Sequence, residues 1–433
     1  MRDIMLDPQY IRDNVDVVKK GLSDKQKEPS LVDTFLGVDK EWKELLVVVE
    51  ELRANKNKAA SARDIELGKK TKEELSLKEP ELTALEAKWK EALWAIPNIA
   101  APDVKVGRDE NENAVVRTHG DTPKFDFYPK DHIALGEALG IIDVEKASKI
   151  SGARFNYLKG DAALMEFALV QFAFSVLTSE ETLREIAKKA GVDVSTKPFI
   201  PVVPPVMIQP EVFDRMARMR PVEERYHIDS DDVYLVGSAE HTLGPIHIDE
   251  LLPEKVFPLR YVGFSTSFRR EAGSYGKDTR GILRVHQFDK VEIESFTLPE
   301  KGADEQKFIV AIQEYMMQQL DLPYQVVEIC TGDMGPTDYR QFDIETWMPS
   351  QGKYRETHTS DYNTDYQSRR LNTRVRRVND ENQFVHMNDA TVFAIGRTLI
   401  AIFENFQQKD GTIKIPTVLQ KWMGKEIISS NKK

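Results

Sequence analysis

Two segments near the N-terminus repeat apolar residues at alternating spacings of three and four, a pattern that restricts how this part of the chain can fold. The first segment contains Leu31, Phe35, Val38, Trp42, Leu45, Val49 and Leu52, and the second contains Leu82, Leu85, Trp89, Ala92 and Ile96, with Leu75 one heptad upstream. Such spacing is typical of a coiled-coil seam. The intervening stretch, SARDIELGKKTKEE, is polar and contains glycine. We therefore predict that it reverses the chain and forms an antiparallel helical hairpin with arms roughly 40 Å long.

The distal part of the predicted hairpin is rich in basic residues. These are Arg53, Lys56, Lys58, Arg63, Lys69, Lys70 and Lys72. One interpretation is a solvated helix face on a rod that joins two subunits. The other follows from the formal net charge of -11, because a basic tip on an acidic protein suits a phosphate backbone. At this point both interpretations stay open.

The composition narrows the class of protein. The 433 residues are 41% hydrophobic and 30% charged, which is ordinary for a soluble chain of two or three domains. The acidic balance argues against a protein that coats DNA or RNA by bulk electrostatics. A single cysteine, Cys330, excludes an intramolecular disulfide. The N-terminus lacks a signal-peptide core, and no stretch has the roughly 20 apolar residues of a membrane span. We therefore expect a cytoplasmic protein with no membrane and no DNA partner.

Proline and polar residues in IPNIAAPDVKVGRDENEN interrupt the heptads, so we predict a helical domain over residues 1–105 and a second domain over residues 106–433. In the second domain, ALMEFALVQFAFSVL predicts a buried helix and ATVFAIGRTLIAIFENFQQ a long apolar helix. The predicted strands are VVPPVMI, VYLVGSAE, VGFSTSFRRE, RVHQFDKVEIESF, YQVVEICTG and QFDIETWM. Neither GxGxxG after a strand nor GxxxxGK[ST] occurs, so neither a Rossmann site nor a P-loop is predicted.

Two of the predicted strands carry charges that a packed sheet face would not normally hold. Side chains two apart on a strand share a face, so Arg269 and Glu271 point the same way. Arg284, Phe288 and Glu292 share a face for the same reason. If the two strands pair antiparallel, one face presents arginines to phosphates, a ring to a base and a carboxylate to an ammonium group. The alternative is a solvated face with surface ion pairs.

Arg397 favours the binding interpretation. It is the only charged residue between Thr391 and Phe403 in an otherwise apolar segment that we predict to be a buried helix. A buried arginine needs an anionic partner. A phosphate group would serve.

Along nearly its whole length the chain resembles the seryl-tRNA synthetases, which are class II aminoacyl-tRNA synthetases. The hairpin resembles the tRNA-binding arm of that family, and VVPPVM resembles the class II dimer motif. FRREAGSYGKDTRGILRVHQFDKVE and AIGRTLIAIFENFQQKDGTIKIPTVLQ resemble the second and third class II motifs. The resemblance implies an α+β fold, in which an antiparallel coiled-coil hairpin precedes a catalytic domain with a mixed, mainly antiparallel β-sheet flanked by helices.

The resemblance also implies a homodimeric ligase that uses ATP and Mg²⁺. Such an enzyme converts serine and ATP to seryl-adenylate and then transfers serine to the 3′-terminal adenosine of tRNA(Ser). A serine carboxylate is already an anion, so its attack on the α-phosphorus needs alignment and charge neutralisation and no general base.

The resemblance assigns roles to individual positions. The implied ATP-binding residues are Arg269, Arg270, Glu271, Arg284, Phe288, Glu356, Thr357, His358, Thr359 and Arg397. The implied serine-binding residues are Ser238, Ala239, Glu240, Arg269, Glu292, Asp389 and Thr391. Catalysis would rest on Arg269, Arg397 and Glu292, and the metal would be held by Glu356 and Thr359. The implied tRNA-binding residues are Arg53, Lys56, Arg63, Lys69 and Lys70, and the loop of residues 273–281 would meet the tRNA acceptor end.

Several departures from the family pattern fall around the amino-acid pocket. The family usually has Asn at the position of Asp389, Thr at that of Ser238, and Ser-Ser-Cys-Ser-Asn where this chain reads THTSDYN after Glu356. Two alternatives to a seryl-tRNA synthetase are therefore kept. One is a catalytically altered synthetase-like protein, and the other is an amino-acid:carrier-protein ligase on the same fold.

Overall fold

The structure is a computed structural model that describes residues 6–272 and 281–430. The N-terminal part consists of helices α1 (Pro8–Asp13), α2 (Val15–Asp24), α3 (Ser30–Ala62) and α4 (Ile65–Trp94). Helices α3 and α4 pack against each other along their length and confirm the predicted antiparallel hairpin. With 33 residues, α3 is about 50 Å long.

The tip of the hairpin is tighter than predicted. Arg63 ends α3 with a left-handed φ of 56°, and the Asp64 carboxylate caps α4 by accepting a hydrogen bond from the Leu67 N–H at 3.0 Å. A left-handed residue followed by an aspartate N-cap reverses the chain within two residues. The reversal lies within the predicted residues 61–74, but it involves only Arg63 and Asp64, because α4 already begins at Ile65.

One buried carboxylate joins three helices at the base of the hairpin. Asp39 on α3 accepts hydrogen bonds from Arg12 of α1 at 2.6 and 2.8 Å and from the Trp89 indole of α4 at 2.8 Å. Burial opposes ionisation of Asp39, but the Arg12 and Trp89 donors outweigh it and hold its pKa below the ordinary value. The base of the hairpin is therefore fixed by charge as well as by apolar packing.

Lys25 and Asn98 are among the side chains that attach this base to the second domain. The buried Lys25 ammonium donates to the carbonyls of Gly335 at 2.9 Å and Asp338 at 2.5 Å. Burial lowers the pKa of Lys25 to about 8. The Asn98 amide donates to the carbonyls of Thr337 at 2.8 Å and Asn363 at 3.0 Å. Both contacts reach backbone groups close to the cavity described below.

The second domain contains the remaining helices and all of the described strands. The helices are α5 (His132–Leu139), α6 (Val144–Ser151), α7 (Asp161–Leu177), α8 (Glu180–Ala190), α9 (Pro210–Arg215), α10 (Glu240–Leu243), α11 (Gly302–Gln319), α12 (Tyr366–Leu371), α13 (Ile395–Asn405) and α14 (Gln420–Met423). The strands are β1 (Ala114–His119), β2 (Ile142–Asp143), β3 (Tyr157–Leu158), β4 (Ile200–Val202), β5 (Met207–Ile208), β6 (Tyr226–Ile228), β7 (Val233–Leu235), β8 (Leu251–Pro253), β9 (Leu259–Phe268), β10 (Gln287–Thr297), β11 (Tyr324–Glu328), β12 (Arg340–Met348), β13 (Lys353–Thr364), β14 (Arg374–Arg376), β15 (Asn382–Phe384), β16 (His386–Ala394), β17 (Ile413–Lys414) and β18 (Ile427–Ile428).

An eight-stranded sheet organises this domain, with the strand order β1-β11-β12-β13-β16-β10-β9-β4. Neighbouring strands are antiparallel except for the edge strand β4, which runs parallel to β9. The largest hydrophobic core lies between this sheet and helices α7, α11 and α13. The predicted α+β class, with a mixed, mainly antiparallel sheet flanked by helices, is confirmed. The domain limits at residues 105 and 106 stay a prediction.

Several predicted elements have different limits in the structure. Residues 390–394, predicted as helix, end strand β16, because pairing with β10 overrides their helical pattern. Arg284 precedes β10 and does not lie on it, since that strand begins at Gln287. Prolines divide VVPPVMI into the two short strands β4 and β5. VYLVGSAE continues as strand only to Leu235, and Glu240 already begins a helix. Helix α11 and strand β13 were missed.

Within the described ranges, no single helix is both long and apolar enough to cross a membrane. Among the described residues, one pair of helices, α7 with α8, passes the same test by length and composition, but the pair is bent by 75°.

The pair formed by Arg260 and Glu305 gives a test of the domain's stability. The Arg260 guanidinium makes two 2.6 Å hydrogen bonds to the Glu305 carboxylate, and both side chains are nearly inaccessible to solvent. Replacing Arg260 by Met leaves a buried carboxylate without its cation, so we expect a loss of about 3–5 kcal/mol in the free energy of unfolding.

Urea denaturation followed by tryptophan fluorescence measures this loss. The matched control is Arg184→Met, which removes an exposed ion pair with Glu180 and should change the free energy of unfolding by less than about 1 kcal/mol. Equal effects of the two substitutions would contradict the prediction.

Candidate active site

A cavity of about 210 Å³ opens among strands β10, β13 and β16 and the start of α13. It brings together most of the predicted ATP and serine residues. Those lining it are Glu240, Arg269, Glu271, Arg284, Phe288, Glu292, Glu356, Thr357, Thr359, Asp389, Thr391 and Arg397. Three further charged residues line it that the sequence-based prediction missed, namely Arg218, Lys290 and Asp361.

Strand geometry explains why these side chains converge. Along β10, the alternation of side chains places Phe288, Lys290 and Glu292 on the cavity face. In β13 a bulge shifts the alternation of side chains. Glu356 and His358 pair with consecutive residues of β12, so Thr357 is an extra residue between them. Such a bulge brings residues three apart to one face. Glu356 can therefore line the cavity together with Thr359.

Arg269 lines the cavity and lies directly after β9. Its Nε donates to the Gly237 carbonyl at 3.1 Å, and its guanidinium carbon lies 5.4 Å from the centre of the Phe288 ring. An arginine anchored through Nε presents its terminal nitrogens in a fixed fork, which suits a phosphate.

Two more arginines lie close to carboxylates. Arg284 Nη1 donates to Glu271 Oε2 at 3.4 Å, and Arg397 Nη1 lies 3.0 Å from Glu356 Oε1. Burial alone would raise the pKa of Glu356, but the charge of Arg397 holds it below its ordinary value. Arg397 is less buried than predicted, because its side chain is 24% exposed, but it has the expected anionic partner in Glu356. Its helix is apolar on the core side, and Arg397 extends from the other side into the cavity.

Glu292 lines the cavity four residues beyond Phe288 on β10 and is almost completely buried. Its Oε2 accepts hydrogen bonds from the Ser238 hydroxyl and from the Glu240 N–H at 3.1 Å, and its Oε1 contacts the Lys290 ammonium. Burial alone would raise the pKa of Glu292. The charge of Lys290 and these hydrogen bonds outweigh burial, so the pKa is lowered and the group is ionised.

Arg218 forms the centre of a cluster of carboxylates beside Glu292. Its Nε donates to Glu240, and its Nη2 lies 3.4 Å from both oxygens of Asp389. The same nitrogen lies 3.8 Å from the carboxylates of Asp338 and Asp361. Burial, followed by repulsion from neighbouring carboxylates, raises the pKa of Asp361 and of Asp389 well above the ordinary value. One guanidinium therefore contacts both Glu240 and Asp389, two of the predicted serine contacts, but it does not outweigh the burial and repulsion that raise the pKa of Asp389.

Other predicted residues lie outside this cavity. Arg270 is exposed and packs over the Tyr226 ring. His358 is buried against Phe393 in the core, and burial lowers its pKa to about 3, so the ring is neutral. This placement follows from the bulge, which turns His358 away from the cavity.

Two predicted serine residues, Ser238 and Ala239, contribute from behind the cavity wall. The Ser238 hydroxyl binds Glu292, and Ala239 packs in a small apolar cluster. Of the loop predicted to meet the tRNA acceptor end, residues 273–280 lie outside the described residues.

The chain matches two family profiles. Residues 5–100 match the seryl-tRNA synthetase N-terminal domain, and residues 223–406 match the tRNA synthetase class II core domain (G, H, P, S and T). Two curated relatives match along almost their entire length. The serine--tRNA ligase of Rubrobacter xylanophilus is 36% identical over 98% of this chain and 99% of its own. That of Streptomyces coelicolor is 39% identical over 97% and 98%.

Solved structures agree with these matches. The seryl-tRNA synthetase of Pyrococcus horikoshii complexed with ATP has a TM-score of 0.87 and 36% identity, and covers 99% of this chain and 100% of its own. The cytoplasmic serine-tRNA ligase of Naegleria fowleri in complex with AMP has a TM-score of 0.84 and 28% identity over 99% and 100%. From its sequence, its fold and the residues gathered in its cavity, the chain belongs to the seryl-tRNA synthetase family of class II aminoacyl-tRNA synthetases.

Proposed function

We propose that this chain is a serine--tRNA ligase that makes seryl-adenylate from serine and ATP and transfers the serine to tRNA(Ser). The observation that carries the proposal is the order of groups along one cavity. Arg269 lies beside the Phe288 ring, the ionised Glu292 lies four residues further along β10, and Arg284 and Arg397 line the same cavity. A nucleotide and an amino acid can lie along this line with their reacting groups in contact.

The ATP end of the proposal rests on the three arginines. Arg269 would hold the α-phosphate while the adenine stacks on Phe288, and Arg284 and Arg397 would bind the outer phosphates. In the structure these last two arginines already lie near Glu271 and Glu356. Phosphate oxygens would therefore share or replace carboxylate partners that already hold the guanidinium groups in place.

Magnesium fits the oxygen donors that Glu356 and Thr359 present to the cavity. Mg²⁺ usually takes one or two protein carboxylates and completes its shell with phosphate oxygens and water. Within the described residues, no group of three or more His, Cys, Asp or Glu side chains is arranged to hold a metal ion. We therefore propose a metal held jointly by Glu356, Thr359 and the nucleotide. When bound, it neutralises phosphate charge.

Glu292 would take the serine ammonium group, and Glu240 and Asp389 would lie near the serine side chain. The serine carboxylate then attacks the α-phosphorus, and pyrophosphate leaves. Transfer follows when a hydroxyl of the terminal adenosine attacks the carbonyl carbon and AMP leaves. Each step requires that the reacting groups are aligned and that negative charge on phosphate is neutralised, and these residues can supply both.

A homodimer is supported by an exposed apolar surface near the edge strand β4. Val203, just after that strand, is 91% exposed, and Phe167 on α7 is 59% exposed. An unpaired edge strand next to large exposed apolar side chains favours association with another chain. We propose a second copy of this chain as the partner.

We also propose that the enzyme is located in the cytoplasm, where serine is attached to tRNA.

The two alternative functions have less support. A synthetase-like protein without activity would be expected to have lost ATP residues, whereas Arg269, Arg284 and Arg397 all line the cavity. A ligase that charges a small carrier protein would have little use for a hairpin about 50 Å long.

Pyrophosphate exchange tests the proposed activation step. The wild-type chain should exchange pyrophosphate into ATP in the presence of serine. Arg269→Ala should reduce kcat/KM by about 10²–10³-fold, because a preorganised charged donor at the α-phosphate is lost. Arg184→Ala, an exposed position distant from the cavity, is the matched control. An Arg269→Ala variant as active as the control would refute the role assigned to Arg269.

The cluster around Arg218 predicts energetic coupling between two residues. Arg218→Met should raise the KM for serine, because Asp389 and Glu240 lose their shared cation. Asp389→Asn removes one of the two carboxyl groups that contact Arg218, so the double variant should be less impaired than the sum of the single effects. The expected coupling is about 1–3 kcal/mol in a double-mutant cycle on kcat/KM for serine. Strictly additive effects would show that the ion pair does not contribute to the pocket.

The basic tip predicts a separation of two activities. Arg53, Lys56, Arg63, Lys69 and Lys70 are all exposed. Replacing all five by Gln should leave pyrophosphate exchange within about twofold and reduce serylation at low tRNA concentration by at least tenfold, because phosphate contacts contribute much of the affinity for RNA. The control variant replaces five other exposed residues, Lys146, Lys149, Arg184, Lys188 and Lys189. Equal losses in both assays would mean that the tip supports the fold.

A further inference from the structure

Lys290 lies on β10 between Phe288 and Glu292 and points into the cavity. Its side chain is only 10% exposed, and its ammonium group contacts Glu292 Oε1. The other oxygen of Glu292 already accepts two hydrogen bonds, from Ser238 and from the Glu240 N–H. The Glu292 carboxylate, which we propose binds the serine ammonium, therefore already contacts the Lys290 ammonium through Oε1.

The position of Lys290 along the strand matters for the reaction. Residues two apart on one face of a strand are about 6.6 Å apart. With adenine on Phe288 and the serine ammonium at Glu292, the α-phosphorus and the serine carboxylate must meet between these two residues. Lys290 is the cavity-facing residue of β10 at that point. Its flexible four-carbon stem allows the ammonium group to reach either neighbour.

The Lys290 ammonium and the serine ammonium cannot both bind Oε1 of Glu292 without repelling each other. An arriving serine ammonium competes with Lys290 for Oε1, while ATP brings several negative charges to the same cavity. A lysine ammonium displaced from Glu292 lies next to the α-phosphate, where negative charge is concentrated. Electrostatics thus favours an exchange of partners in which each cation ends beside an anion.

We propose that Lys290 is a catalytic residue that neutralises Glu292 in the free enzyme, is displaced by the serine ammonium, and then binds a non-bridging oxygen of the α-phosphate. This inference rests on the proposed serine activation. In the step that it assists, a serine carboxylate oxygen forms a bond to the α-phosphorus. The bond from that phosphorus to the oxygen bridging to the β-phosphate breaks, and its electron pair leaves with pyrophosphate. Lys290 keeps its proton throughout.

The proposal predicts opposite effects on binding and on chemistry. A lysine that merely fixes Glu292 would, when removed, weaken binding of any ammonium ligand. A displaceable lysine that then acts on the phosphate would, when removed, leave ammonium binding intact or tighter and slow the chemical step. Ethanolamine separates the two, because it has the ammonium and hydroxyl groups of serine and no carboxylate that could react.

The test uses the full-length chain and the variants Lys290→Met, Lys290→Gln and Lys290→Arg at pH 8. Calorimetry measures ethanolamine and ATP binding, and pyrophosphate exchange measures kcat. We expect both neutral variants to bind ethanolamine as tightly as the wild type or severalfold more tightly, and to lose about 100-fold in kcat, the usual effect of removing a preorganised donor. Lys290→Arg should recover at least tenfold of that loss. Lys307→Met, at an exposed helical position, is the matched control.

Three results would overturn the inference. Ethanolamine binding at least tenfold weaker with unchanged kcat would make Lys290 a support for Glu292. Unchanged ethanolamine binding together with unchanged kcat would show that the contact between Lys290 and Glu292 contributes to neither. Equal losses in Lys290→Arg and Lys290→Met would exclude a role for the positive charge. ATP binding and thermal unfolding verify that each variant is folded, and Lys290→Gln replaces Lys290→Met if the latter is not. A wild type without serine-dependent exchange would instead contradict the proposed function, while ethanolamine binding would still test the contact with Glu292.

Discussion

The antiparallel pairing of β10 with β9 on one side and β16 on the other holds the whole cavity in place. Because β10 lies inside the sheet, its hydrogen bonds set the position of each side chain along the strand. A slip of one residue would turn Phe288, Lys290 and Glu292 away from the cavity and expose the core face. A bulge at Val392 adjusts the neighbouring strand β16 to this fixed element, and a bulge at Thr357 changes the alternation of β13, the next strand along.

The cavity tolerates an unusual density of charge because almost every charged group has a partner. Glu292 is surrounded by Lys290 and two hydrogen-bond donors, and Arg218 serves several carboxylates at once. Buried ion pairs of this kind contribute little to stability as such. They keep ionised groups in one geometry, which a site that works by alignment requires. The stability of the domain comes instead from the apolar layer on the opposite side of the sheet.

Much of the architecture could be predicted from local patterns. The hairpin followed from heptad spacing, and the shared face of Phe288 and Glu292 followed from alternation along β10, whereas Arg269 lies just beyond the end of β9. Lys290 obeys the same alternation and could have been found by it. The remaining misses depend on tertiary contacts. The bulge at Thr357 turns His358 into the core, and the periodicity of the sequence does not predict a bulge. Arg218 lies in a polar stretch that looks like ordinary surface, so only the fold brings it to Asp389.

The attachment of the hairpin base has a mechanical consequence. Asp39 fastens the base internally, and Lys25 and Asn98 fasten it to backbone groups beside the amino-acid end of the cavity. A rigid rod about 50 Å long behaves as a lever, so a tilt of about 5° at its base displaces its tip by roughly 4 Å. Hydrogen bonds to backbone carbonyls, those of Lys25 and Asn98 among them, thus help to fix the direction of a distant basic surface relative to the cavity. Under the proposed function, the same bonds set the distance between an RNA bound at the tip and the adenylate in the cavity.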